Sequence, residues 1–168
     1  GLEAIEFYQQ EKMTYGNGAH LVLVEVDPET GGVHILRYLV DYDVGRAINP
    51  RLVNGQIVGG IAQGLGSALL EELAYDEHGQ LTTGTLMDYL LPTSAEVPPI
   101  DVRMGEEHPS TLNPLGVKGV GEDGIVAAGP AIANAVADAL APLGVSVTSL
   151  PLSPGRLRDL IRAAHGAE

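Results

Sequence analysis

Between Arg51 and Glu72 the sequence carries an apolar stripe of helical period with five glycines set inside it. Val53, Ile57, Ile61, Leu65, Ala68, Leu69 and Leu73 recur at the three-to-four-residue spacing of one helix face. Gly55, Gly59, Gly60, Gly64 and Gly66 work against that helix, because each interior glycine costs about 1 kcal/mol relative to alanine. A chain that keeps both features needs the helix backbone bare. Either another backbone packs closely on it or a ligand lies against it, and the two are compatible. Asn49-Pro50 marks the turn that opens the helix.

The remaining segments supply partners for this helix. Residues 19–27 alternate apolar and polar, the period of a half-buried strand, and residues 33–42 are rich in β-branched and aromatic side chains. Pro28, Gly31 and Gly32 between them predict a β-hairpin with a five-residue connection. Residues 76–80 read as a turn and 81–91 as an extended segment of weak strand character. The stretch 92–116, with Pro92, Pro98, Pro99, Pro109 and Pro114, reads as loop with a short strand at 100–104. A glycine-rich loop over 116–124 leads into a helix over 130–140, with Ile132, Val136, Ala139 and Leu140 as its apolar face. A short strand is expected at 144–150. Ser153-Pro154 caps a last helix that buries Leu157, Leu160, Ile161 and Ala164 and stops at Gly166. The fold class is α+β: a mixed sheet with a β-hairpin, packed against a glycine-rich helix and two further helices, as one domain over 1–168.

Composition removes several functions. A net charge of −13 argues against nucleic acid, whose binders need a basic footprint, and against anionic membrane surfaces. No apolar run approaches the roughly 20 residues of a membrane span, and the start GLEAIEFYQQ shows no signal peptide. That abrupt start reads as a domain of a longer chain or a split gene product. With no cysteine, thiolate metal sites, iron–sulfur ligation and cysteine nucleophiles are excluded within this chain. His20, His34, His78, His108 and His165 show no metal-helix spacing and are expected to be solvated or hydrogen-bonded. Gly45 and Arg46 interrupt any calcium-loop pattern at Asp41 and Asp43, which read as structural.

The chemistry-bearing segment is Gly119-Val120-Gly121-Glu122-Asp123-Gly124. Its spacing matches a dinucleotide fingerprint, but Pro114 stands too close for a central strand before it, and no acid follows at the required distance. Lys118 is followed by Gly119 rather than Ser or Thr, so the phosphate loop of nucleotide hydrolases fails too. What remains is a backbone able to approach a ligand closely, with a carboxylate just ahead of a helix start. Such a glutamate is either a surface turn residue or a positioned base.

GVKGVGEDG followed by PAIANAVADAL resembles the active-site signature of the xanthine dehydrogenase/aldehyde oxidase family of molybdenum hydroxylases, which includes carbon monoxide dehydrogenase large subunits. VEVDPETGGVHILRYLVDYDVGRAINP, GQIVGGIAQGLGSALLEE, MDYLLP and NPLGVKGVGEDG resemble further segments of those large subunits in the same order, over about residues 13–165. The resemblance covers the C-terminal part of a normally much longer subunit. It implies that Glu122 is the general base that takes the proton of a molybdenum-bound hydroxyl, with electrons leaving through iron–sulfur clusters to a flavin. It implies a cofactor-facing set of Gln56, Gln63, Lys118, Gly119, Val120 and Gly121, and no metal ligand from the protein. For Gln56 and Gln63 the competing role is a hydrogen bond to nearby backbone, and for Lys118 it is orientation of the loop.

The implied cofactor is a molybdopterin-type molybdenum cofactor, in bacteria usually the cytosine dinucleotide form, with none necessarily bound to the isolated chain. The implied partners are the remainder of the large subunit, an FAD-binding subunit and a 2Fe–2S subunit, in the cytoplasm. The substrate is an aldehyde, an N-heterocycle or a similar small molecule. The alternative is a non-catalytic remnant or assembly module that keeps the fold.

Overall fold

A computed structural model describes residues 1–10 and 12–166; the side chain of His165 lies outside the described ones. Strand β1 (Asn17–Val26) and strand β2 (Val33–Asp43) form the expected hairpin. Its turn is closed by Asp27, whose carboxylate accepts from Glu29 N at 2.9 Å and from the Thr30 hydroxyl at 2.7 Å. Strand β3 (Ile100–Gly105) pairs parallel to β2, so the three-stranded sheet has the order β1-β2-β3 and is mixed.

Helix α1 (Pro50–Leu69) lies in the crossover between β2 and β3. Asn49 Oδ1 accepts from Leu52 N at 3.2 Å, and Pro50 occupies the first turn, where its missing N–H costs nothing. The helix ends three residues before the sequence suggested. Leu70 N and Glu71 N both fold back onto Gly66 O, and Leu152 N donates to Ala68 O, so the last carbonyls find partners outside a continuing helix. Helix α2 (Asp123–Val126) is a single turn, followed by α3 (Ala128–Leu140) and α4 (Pro154–His165).

The core joins Tyr38, Val40 and Tyr42 of β2, Ile57, Ile61 and Leu65 of α1, Ile132, Val136 and Leu140 of α3, and Leu157 and Ile161 of α4. Two tyrosines thus enter an otherwise aliphatic core. Ala139, expected on the apolar face of α3, is exposed, while Ala128 and Gly129 are buried at its start. Leu73 likewise lies beyond α1 and is exposed.

Two extended segments expected from composition do not form. Residues 144–150 have no strand beside them; Arg156 instead reaches Ser149 Oγ and the carbonyls of Leu150 and Pro151, giving those groups a side-chain partner in place of a ladder. Residues 81–91 turn: Thr85 O accepts from Asp88 N and Tyr89 N, and only Leu81 makes an isolated bridge, to Tyr75. Ser153 stands at the N-cap of α4 in extended conformation but its side chain makes no capping bond. The helical run Asp123–Leu143, 21 residues broken near Ala127, is long and apolar enough by composition to cross a membrane, which corrects the expectation that no run comes close. Its Ile132, Val136 and Leu140 are core residues of this domain.

Candidate active site

The loop Gly116–Glu122 is fastened to the end of β2 before it reaches α2. Gly45 bridges Val117, Lys118 N donates to Val44 O at 3.1 Å, and Arg46 N donates to Gly116 O at 2.9 Å. Gly45 has φ +68°, and a β-carbon there would fall 2.4 Å from Gly116 O, so both the backbone conformation and the close approach require glycine. Asn113 clamps Val117 from the other side, accepting from its N–H and donating to its carbonyl.

Lys118 is engaged by this scaffold. Its Nζ lies 2.6 Å from Asp43 Oδ2, with both side chains largely buried, and Asp43 Oδ1 accepts from Gly45 N. The Lys118 ammonium, with the Gly45 amide, holds the Asp43 carboxyl below the usual carboxylate range. Asp43 thus has its carboxylate occupied within the fold, and the pair ties the loop at Lys118 to the end of β2. Asp41 is paired with Arg103 on the sheet surface.

Glu122 is exposed at the N-cap of α2, and its side chain makes no capping bond. The turn behind it is pressed onto α1. A β-carbon on Gly124 would lie 2.1 Å from Ile57 O, one on Gly60 would lie 2.8 Å from Ile125 N, and one on Gly64 would lie 2.5 Å from Ala128 Cβ. Backbone-to-backbone packing therefore explains Gly60, and the Ala128 methyl group explains Gly64. Gly55 and Gly59 have nothing within 4 Å among the described residues, so packing within the fold does not require them.

Gln56 and Gln63 are exposed on α1. At 100° per residue they lie within about 60° of Gly60, on the side of α1 that adjoins the α2 contact. Gln56, Gln63, Gly119, Gly121 and Glu122 are all exposed, while Val120 packs partly into the core. No described residue accepts a backbone hydrogen bond from the N–H of Gly119, Val120, Gly121 or Glu122. Free amide donors, two carboxamides and bare glycine backbone fit a flat, polar ligand edge that both donates and accepts. The free carboxylate of Glu122 can accept a proton there. Among the described residues no cluster of His, Cys, Asp or Glu can hold a metal ion.

A polar layer lies beneath the loop that sequence reasoning did not find. His20 Nδ1 and the fully buried Tyr38 hydroxyl are 2.7 Å apart, and the rings of His20 and Tyr42 meet edge-on at 6.4 Å. Burial lowers the His20 pKa and raises that of Tyr38. Asp123 reaches into the same layer, where burial pushes it up to about 6, partly offset by Tyr42. No spacing links residues 20, 38, 42 and 123; the only signal was an acidic residue beside Glu122.

The profile of the molybdopterin cofactor-binding domain family matches residues 1–98. Over its whole length the chain is 45% identical to 6-hydroxypseudooxynicotine dehydrogenase complex subunit gamma of Paenarthrobacter nicotinovorans, of which it covers 21%. Over 99% of its length it is 42% identical to the nicotine 6-hydroxylase large subunit of the same organism, covering 20% of that protein. A crystal structure of Cu,Mo-CO dehydrogenase superposes with a TM-score of 0.92 at 34% identity, over 98% of this chain and 21% of the other. The chain spans about one fifth of the length of these proteins.

Proposed function

The chain belongs to the molybdopterin cofactor-binding domain family, and from that premise we propose that it forms the general-base wall of a molybdenum hydroxylase active site, with Glu122 as the base. The carrying observation is that Glu122 stands exposed and unengaged on a turn whose backbone is locked against the helix bearing Gln56 and Gln63. A molybdopterin cofactor, here taken as the cytosine dinucleotide form, supplies the redox chemistry when bound. Gln56, Gln63 and the amides of Gly119, Val120 and Gly121 hold its polar edge. Lys118 keeps the loop in register through Asp43. Glu122 would accept the proton of the hydroxyl that attacks an electron-poor carbon, with the two-electron oxidation that takes up the hydride equivalent lost from that carbon supplied by the bound cofactor, and a positioned carboxylate contributes about 10²–10⁴-fold in this role.

Within the range of aldehydes and heterocycles, the similarity to a nicotine hydroxylase at 42%, against 38% and 36% to two CO dehydrogenase large chains, supports a nitrogen heterocycle as substrate. The rest of the large subunit, an FAD-binding subunit and a 2Fe–2S subunit complete the enzyme in this reading. A non-catalytic assembly module is the competing reading, and the unengaged Glu122 favours the enzyme.

Glu122→Gln tests it in the assembled enzyme. The amide keeps size and polarity but removes the proton acceptor, so turnover per molybdenum falls by at least about 10²-fold with cofactor content unchanged. Near-normal turnover would reduce the loop to a glycine-rich wall.

A further inference from the structure

Glu122 and Asp123 are neighbours in the chain but differ in exposure. Glu122 is exposed, whereas Asp123 Oδ2 is buried without a hydrogen-bond partner. No described cation neutralises it: Lys118 is held by Asp43, and burial favours the neutral ring of His20. The groups that face Asp123 are Tyr42 from β2, His20 from β1 and the backbone of Gly16 ahead of β1. A β-carbon on Gly16 would lie 2.8 Å from Asp123 Oδ2 and 2.9 Å from Gly119 O, so this one residue abuts both ends of the loop turn. A partly buried carboxylate with no cation beside it costs free energy, and departures from local consistency of this kind concentrate at functional positions.

We propose that Asp123 is a positioning residue for Glu122: its inward carboxyl, seated between Gly16 and Tyr42, fixes the turn so that the preceding side chain points outward. Helix α2 is one turn of four residues, far too short to hold its own orientation. Consecutive helical side chains diverge by about 100°. Anchoring Asp123 in the layer of His20, Tyr38 and Tyr42 therefore sets the direction of Glu122, while Gly124 sets its height against α1. The proposal rests on Glu122 being the base.

The carboxyl also carries a pH signature. Its folded value of about 6 exceeds the ordinary 3.8, so the folded chain binds the proton more tightly than the unfolded one. The cost of ionising it is absent below the unfolded value, and stability declines as pH rises from there to the folded value.

The test uses Asp123→Asn and Asp123→Ala. In the 168-residue chain, the thermal midpoint is followed from about pH 4 to about pH 8, with exchange of the hydrogen-bonded amides between residues 116 and 126. Asp123→Asn is expected to remove the decline between about pH 4 and about pH 6 and to leave exchange as in the native chain. Asp123→Ala is expected to loosen the loop, raising exchange at the hydrogen-bonded amides of Val117, Lys118 and Ile125 by about tenfold or more. In the assembled enzyme, Asp123→Asn keeps turnover within about threefold, while Asp123→Ala lowers kcat by about 10–10²-fold at unchanged KM and molybdenum content. Native loop exchange in Asp123→Ala, or equal losses in both variants, overturns the proposal. Exchange does not depend on what Glu122 does. A loosened loop together with a fully active Glu122→Gln overturns the base and keeps the positioning role; native exchange with a defective Glu122→Gln does the reverse.

Discussion

Lys118 Nζ sits 2.6 Å from Asp43 Oδ2, a contact across 75 residues of sequence that ties the loop before Glu122 to the end of β2. Charge-assisted bonds of this length are among the stronger polar contacts, and limited exposure keeps salt from screening this one fully. Lys118→Met is expected to cost about 1–2 kcal/mol of stability, between the range for exposed pairs and that for bonds to charged groups. Asp43 titrates below the ordinary carboxylate value, so the stability it contributes is present above its unfolded value and is lost as pH falls through the depressed folded one. Asp43→Asn should therefore lower the thermal midpoint near neutrality and flatten its decline in acid, read by scanning calorimetry across that range. A midpoint unchanged in either variant would show that the neighbouring backbone bonds alone hold the loop.

The glycines of α1 fall into two sets that substitution should separate. Gly60→Ala gains about 1 kcal/mol of helix propensity but places a β-carbon 2.8 Å from Ile125 N and 2.9 Å from Gly124 Cα. Backbone cannot yield cheaply, and overpacking of about 1–3 kcal/mol wins. Gly59→Ala meets nothing within 4 Å and should stabilise the chain by about 1 kcal/mol. If Gly59 faces the cofactor, that same variant should reduce molybdenum content in the assembled enzyme. Denaturant unfolding of the chain and metal analysis of the enzyme report the two effects independently.

Purified from a host that makes the cofactor, the isolated chain is expected to fold yet retain no stoichiometric molybdenum and show no hydroxylase turnover. The reason is span: it covers about one fifth of its relatives, and one wall of a site contributes only part of the contacts. Metal analysis of the purified chain decides it, and one molybdenum per chain would refute it.

The same reasoning predicts an exposed apolar surface. Leu21, Leu23 and Leu36 are all more than half exposed on the hairpin, and Gly55 and Gly59 leave bare backbone on α1. Such a face favours association or dye binding. Light scattering and an apolar dye should detect one or the other; a clean monomer without dye binding would count against it.

Local sequence rules identified the elements whose signals are local. The alternation over 19–27 and the β-branched run over 33–42 specify a hairpin because side chains of period two can bury only one face. Asn49-Pro50 specifies a helix start because a side-chain oxygen and a fixed φ suit the first turn whatever lies nearby. The succession of glycines around Glu122 marked the loop because few other residues permit so bare a backbone. Periodicity sets Gly55 and Gly59 at least about 100° around α1 from Gly60 and Gly64, but it could not say which pair meets Gly124 and Ala128 and which stays open. Nor could it show that 144–150 lacks a strand partner, that β3 runs parallel to β2, or that Asp123 turns inward while Glu122 turns out. Those outcomes depend on residues far apart in sequence, Gly16 and His20 against Asp123, Asp43 against Lys118, and Gly60 against Gly124, and contacts of that range arise only when the packed chain brings them together.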